Sequence, residues 1–421
     1  MKIDLRQRLP PTGGRDATGC IQSAIDEAAR AGGGMLIVPP GDHVCGPLQL
    51  RSNVHLVLEA EARILGNWDG DRKQAVAFIH AVDAENVQIS GRGTIDARGS
   101  EGVFPRGAKG RPRGFFFQNC GPVTVKDVHF LNSPSWCLVF QQCRDVTVDH
   151  VTIDDHNNYN NDGIDVVDCT RVRITHCDVS ADDDGICLKS FTDCGNDDIE
   201  IAHCRIASHC NALKTGTESY GAFRNIHIHD CEIVGTRCDH VYFGKPAGQS
   251  AICLTNVDGA DLENIHVHDI AIRSGTDIPF CLKLGARLRT FDNAPRSVGT
   301  YRNVTLKNIH SRNSLNSPFG CTVAGVMADG VTHDLENIVL RNIQLHFVGD
   351  VVGEAGAVEE HADQYPHPYI LGHLPACGIY CRHVDGLRLE NIDITRMSTD
   401  RRPPIVCENV KGLQAERAEI S

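Results

Sequence analysis

Apolar residues alternate with polar ones in short runs that recur along the whole chain. The first are Val87-Gln-Ile89, Val123-Thr-Val125, Val146-Thr-Val148, Val172-Arg-Ile174 and Ile199-Glu-Ile201. The series continues through Ile226-His-Ile228, Ile265-His-Val267, Val304-Thr-Leu306, Ile338-Val-Leu340 and Leu387-Arg-Leu389 to Leu413. A period of two places every second side chain on one face, as a half-buried strand requires. Many runs follow an Asn or Asp, residues that tolerate the left-handed backbone of a tight turn. Between Val123 and Ile226 the runs return every 23 to 27 residues, a solenoid spacing. One such coil cannot bury its own apolar side. Stacked coils bury a continuous core and pair each strand with its neighbours about 4.8 Å away.

Cys177, Cys204 and Cys231 fall at matching places in three successive units, as small buried residues of an internal ladder would. From Ile21 to Ala31 the period changes to that of a helix, with Ile21, Ala24, Ile25 and Ala28 on one face. Gly32-Gly-Gly34 ends it. Such a helix caps the open end of a solenoid. The pattern predicts an all-β fold: a right-handed, single-stranded parallel β-helix with a short N-terminal capping helix. No linker divides the chain, so one domain is expected over 1–421. Residues 1–50 form its cap and 51–421 its stacked coils, with insertions near 270–300 and 350–376.

Bulk properties narrow the function. The formal charge of −13 opposes a nucleic-acid partner. No run reaches the roughly 18 apolar residues of a membrane span. The start, MKIDLRQRLP, lacks the apolar stretch of a secretory signal, and 19 cysteines, an odd number, read as reduced thiols. The expected compartment is the cytoplasm, unless a signal was removed ahead of residue 1. Cys and His do not repeat at zinc-ligand spacing, so neither a structural metal nor a cofactor is expected. Oligomeric state is not legible.

The chemistry concentrates between Asn160 and Ser190, in Asn160-Asn161-Asp162-Gly163-Ile164-Asp165 and Asp182-Asp183-Asp184-Gly185-Ile186. Asp162 and Asp183 lie about one coil apart, so stacking brings two acidic clusters onto neighbouring coils. Paired carboxyls suit inverting glycoside hydrolysis, where one protonates the leaving oxygen and another activates water. Turn aspartates or a calcium site fit the same acid run; the stacking register favours catalysis.

These residues, with Ser133-Pro-Ser-Trp136, resemble the polygalacturonase-like glycoside hydrolases of family 28. So do Asp16-Ala-Thr-Gly19, Val38-Pro-Pro-Gly41 and Gly91-Arg-Gly-Thr-Ile-Asp96. The resemblance implies a parallel β-helix and metal-independent, inverting hydrolysis, with Asp183 as general acid and Asp162 and Asp184 holding and deprotonating the water. It makes His209 the counterpart of the family's histidine, although Ser208-His209-Cys210-Asn211 stands where Gly-His-Gly is usual. At the family's Arg-Ile-Lys, Cys281-Leu282-Lys283 keeps the lysine and loses the arginine, a charge that Arg287 or Arg289 would supply. Lys189, Lys214, Lys283 and Arg287 are therefore the expected contacts to a uronate carboxylate, and Tyr380, Arg382 and His383 would close one end of the cleft. The expected substrate is a galacturonide-type pectic oligosaccharide, attacked from its end. A β-helical uronate lyase or epimerase, a hydrolase of another sugar, and a non-enzymatic carbohydrate-binding solenoid are the competing readings.

Overall fold

The structure, a computed structural model, describes residues 1–10, 15–235, 248–273, 276–291, 294–314, 319–348, 355–397 and 400–420. Its strands form a right-handed parallel β-helix, as the recurring runs predict. The contacts within the chain group into two compact units, Met1–Ile186 and Cys187–Ser421.

In the first unit three columns of parallel strands run through successive coils. One column passes from Gly34–Val38 through Val54–Leu58, Val87–Gly91, Val123–Lys126 and Arg144–Asp149 to Thr170–Thr175. The second runs from Gly41–Cys45 through Ala62–Gly66, Thr94–Asp96, His129–Leu131 and Thr152–Asp155 to Asp178–Ala181. The third runs from Leu48–Gln49 through Ala77–Val82, Arg113–Gln118 and Leu138–Gln141 to Ile164–Val167. Register is strict. Val123, Val146 and Val172 align, as do Val125, Val148 and Ile174, and all six are buried. Like side chains therefore stack on like, and Phe117 and Phe140 lie parallel with ring centroids 5.3 Å apart.

The helix spans Thr18–Arg30 and buries Ile21, Ala24, Ile25 and Ala28. It ends where Gly32 and Gly33 take positive φ and Gly33 N–H donates to Ala28 O at 2.8 Å. Coils begin earlier than residue 51, because Lys2–Asp4 already pairs with Gly34–Val38. A three-residue strand and a five-residue one are too short for their alternation to register against the neighbouring helix.

In the second unit the strands lengthen. One column holds Asn196–Ala202, Ala222–Val234, Asp261–Ile272, Thr300–Ser314, Leu335–Phe347 and Ile379–Arg396. Another holds Asn211–Ser219, Gly248–Asn256, Thr276–Leu284 and Cys321–Ala324. Left-handed residues precede the apolar runs, among them Asn225, Asn264, Asn303 and Asn337. Their side-chain amides form a ladder: Asn264 donates to Asn225 at 3.3 Å, Asn303 to Asn264 at 3.2 Å and Asn337 to Asn303 at 3.1 Å. A second ladder joins Asn391, Asn342 and Asn308. Leu413 is not in a strand; it is partly exposed just before Gln414–Glu416.

Cys204 and Cys231 occupy matching buried positions here, and the Cys204 thiol, ahead of burial itself, pushes that of Cys231 up. Cys177 is buried in the first unit. Of the expected insertions, positions 274, 275, 292, 293 and 350–354 lie outside the described residues. The remainder of the second insertion packs on the second unit through Ile370, Leu371 and Leu374, which cluster with Ala324 and Tyr380.

Candidate active site

The acidic segment is shaped by two buried amides. Asn161 donates through Nδ2 to the carbonyls of Ser133 at 2.8 Å and Ser135 at 3.2 Å. Its Oδ1 accepts from Asn158 N–H at 2.6 Å. Asn158 in turn donates to Gly99 O and Phe104 O, both at 3.0 Å. The Ser133-Pro-Ser-Trp136 motif thus works through its carbonyls, which pin the turn ahead of Asp162.

That turn delivers the carboxylates. Cys137 N–H donates to Asp162 O at 2.9 Å, and Gly163 N–H donates to Asp184 O at 2.9 Å. Asp183 N–H donates to Asn161 O at 3.2 Å. Asp162 and the Asp183-Asp184 pair therefore lie on adjacent coils of the first unit. All three are nearly closed off, with 3%, 8% and 2% of their surface exposed. Gly163 permits the approach: a Cβ there would stand 2.4 Å from Val179 Cγ1 and 2.5 Å from Gly185 O.

Three neighbours escape sequence reading. Arg111 donates to Pro134 O and Asn158 Oδ1, both at 2.9 Å, and to Asn160 Oδ1 at 3.2 Å. Asn160 in turn donates to Asp183 Oδ2 at 3.2 Å. Asp155, fully buried, accepts from Ser133 N–H at 2.8 Å, and burial pushes its carboxyl well above the usual range. His156 meets Ser180 Oγ at 2.7 Å and lies 3.6 Å from Asp182 Oδ1. Each contact joins residues far apart in sequence through a coil turn, where no periodicity reports it. Asp165, in the same acid run, is buried within the electrostatic reach of Arg113, whose guanidinium also covers Trp136.

The expected cationic contacts belong to the second unit. Lys189, His209 and Lys214 are all buried. Burial alone would raise the Glu218 carboxyl, but the Lys189 charge and a hydrogen bond from Arg289 hold it below the usual range. Lys283 is 2% exposed and, among the described residues, donates only a long 3.4 Å bond, to Leu284 O. Burial lowers its pKa, with nearby Glu360 opposing and Arg382 reinforcing that effect. Register carries Lys283 onto Ala324 and Ala324 onto Arg382. Arg382 pairs with Glu360 at 2.6 Å, and His383 meets the same oxygen at 3.0 Å. Glu360, from the second insertion, went unseen in the sequence because it lies in an aperiodic stretch.

Arg287 lies against a carboxylate of its own chain. Its fork grips buried Asp258 through Nε at 2.9 Å and Nη2 at 2.5 Å, and Nη2 also donates to Thr217 O at 2.8 Å. Tyr380 likewise is buried and donates to Glu408 at 2.6 Å.

Comparison with known proteins agrees with this architecture. The family model "Glycosyl hydrolases family 28" matches residues 33–273. A probable polygalacturonase of Vitis vinifera is 28% identical over 205 residues, 42% of this chain and 41% of the relative. A probable exopolygalacturonase B of Neosartorya fischeri is 23% identical over 417 residues, covering 91% of this chain and 77% of the relative. The chain thus spans less than half the length of the first relative and about three quarters of the second. Among solved structures, the family 28 exopolygalacturonase of Yersinia enterocolitica superposes with a TM-score of 0.74 at 15% identity, over 98% of this chain and 78% of the other. At that identity the superposition speaks for the fold, whereas the family-model match covers more than half of the sequence. The chain belongs to family 28 of the glycosyl hydrolases.

Proposed function

We propose that this protein hydrolyses galacturonide linkages in pectic oligosaccharides, by inversion and from the chain end. The observation that carries the reading is the Gly163 N–H bond to Asp184 O, which sets Asp162 beside Asp183 and Asp184 on adjacent coils. In this reading Asp183 protonates the leaving oxygen, while Asp162 and Asp184 hold and deprotonate the water. Enclosure strengthens each of these interactions by thinning the surrounding water.

Lys283 is the best-supported contact for a uronate carboxylate, since it is a buried ammonium with little hydrogen bonding from its own chain. Lys189, Lys214, His209 and Arg287 remain proposed substrate contacts on the family resemblance, Arg287 with its fork also engaged by Asp258. Action on chain ends is supported by the exopolygalacturonase relative. The many buried thiols support a reducing compartment such as the cytoplasm.

The test is incubation with defined oligogalacturonides and other pectic oligosaccharides in the presence of EDTA. Reducing ends, unsaturated-bond absorbance and the first anomer released are followed together, with Asp183→Asn as control. Saturated products of inverted configuration, released one end unit at a time and absent in the variant, are expected. Unsaturated products would assign lyase chemistry instead, and turnover surviving in Asp183→Asn would remove the acid from its role.

A further inference from the structure

The exposed face of the second unit carries a histidine pattern that glycoside hydrolysis does not use. Ile226-His-Ile-His229 and Ile265-His-Val-His268 lie on adjacent coils, and strand alternation sends all four histidines outward. His227 aligns with His266 and His229 with His268, while Glu200 of the preceding coil aligns with His227. The Nε2 atoms of His227 and His268 face each other at 2.6 Å. Nδ1 of His268 meets Asp269 Oδ2 at 2.6 Å and serves as its donor, which leaves a lone pair on Nε2. Two imidazole nitrogens thus meet head to head across adjacent coils. His229 stacks on His268 with centroids 5.1 Å apart and turns its Nε2 toward Glu200 Oε1 at 3.2 Å.

We propose that this face binds one divalent transition-metal ion of the nickel, copper or zinc class. His227 Nε2 and His268 Nε2 are its two protein ligands, and solvent completes the coordination. Imidazole nitrogen is the ligand such ions prefer over calcium or magnesium. A metal–nitrogen bond of about 2.0–2.1 Å at a tetrahedral angle sets two ligand nitrogens roughly 3.3 Å apart. The pair must therefore open by roughly 0.7 Å, a small rotation for an exposed ring such as His227. Asp269 behind His268 supplies the carboxylate that commonly orients a metal-bound imidazole.

Lys307 aligns with His268 on the following coil, so its ammonium opposes a cation on that side and favours the side of Glu200. The Asp149, His150 and His176 group of the first unit also gathers three ligand atoms, but around a carboxylate that is already neutralised. Both of its imidazoles already direct Nδ1 at Asp149 Oδ1, at 2.9 and 3.1 Å, and Lys126 occupies the other oxygen at 2.9 Å. The absence of zinc-ligand spacing in the sequence does not conflict with the site, because its ligands meet across coils.

The full chain, stripped with chelator and dialysed, is titrated calorimetrically with Ni2+ alone. His227→Gln/His268→Gln is compared with the control His150→Gln/His176→Gln. One equivalent bound by the parent and the control, at least tenfold weaker in the first variant, is expected, with oligosaccharide turnover and metal-free Tm the same in all three. No saturable binding by the parent, equal affinity in His227→Gln/His268→Gln, or a loss confined to the control would each overturn the proposal.

Discussion

Asn160 joins Arg111 to Asp183: its amide oxygen accepts from the guanidinium at 3.2 Å and its amide nitrogen donates to Asp183 Oδ2, also at 3.2 Å. A side-chain amide can be read in only one orientation between a donor and an acceptor, so the pair fixes how Asp183 is presented. Asn160→Ala is expected to lower kcat on the order of tenfold, with KM little changed and Tm within a few degrees of the parent. Steady-state kinetics on an oligogalacturonide read the split, and a rise in KM with unchanged kcat would show that Asn160 serves binding instead.

Gly163 tests the coil-to-coil spacing at the carboxylates. The methyl group of Gly163→Ala meets Val179 and the Gly185 carbonyl at distances no relaxed structure allows, at a cost of about 1–3 kcal/mol. Thermal unfolding should show that loss, and turnover should fall further than the stability change explains. An active variant of parental stability would mean that the two coils stand further apart than the Gly163–Asp184 bond implies.

Arg287 and Lys283 separate structural from substrate-directed charge. Arg287→Ala strands the buried Asp258 carboxylate, and breaking such a pair costs about 3–5 kcal/mol. Lys283→Met removes an ammonium with little compensation, so stability should hold or improve while KM for an oligogalacturonide rises. Paired denaturation and KM measurements decide. A stable Arg287→Ala with raised KM would show that the arginine serves the substrate first.

Asp155 predicts a pH dependence. Burial raises its carboxyl in the folded state above the unfolded value, so between those two values the folded chain binds more protons. Its stabilising contribution is then fully present below about pH 4 and is lost as pH rises through the folded value. Asp155→Asn keeps an acceptor for Ser133 N–H and cannot ionise. Its stability relative to the parent should therefore improve from acidic toward neutral pH, as followed by urea midpoints at several pH values. A difference independent of pH would contradict the raised carboxyl.

What could be read from the sequence is what repeats. The Val123, Val146 and Val172 register, the left-handed Asn positions and the one-coil separation of Asp162 from Asp183 all follow from a period close to one coil. What could not be read depends on single contacts between distant positions. The Arg287 fork on Asp258 spans 29 residues and the Arg111 bond to Asn160 spans 49. Glu360 reaches Arg382 from an insertion with no period at all. The early start of the coils was hidden for a related reason, since Lys2–Asp4 is too short to display an alternation.

The two asparagine ladders have a direction. Every amide in them donates toward the N-terminal side, from Asn337 down to Asn225 and from Asn391 down to Asn308. Amide dipoles aligned head to tail leave partial positive charge at the donating end, as they do at the start of a helix. Both ladders end there on a carboxylate: Asn225 donates to Asp197 at 2.8 Å and Asn308 to Asp269 at 2.8 Å. The stack therefore carries two one-way chains of polarised amides, each closed by an anion at its positive pole. The amide of Asn308 is also the leading cause that holds the Asp269 carboxyl below its usual range. Any coil inserted by duplication within either run would have to bring its own asparagine in the same sense, or cut the polarised chain in two.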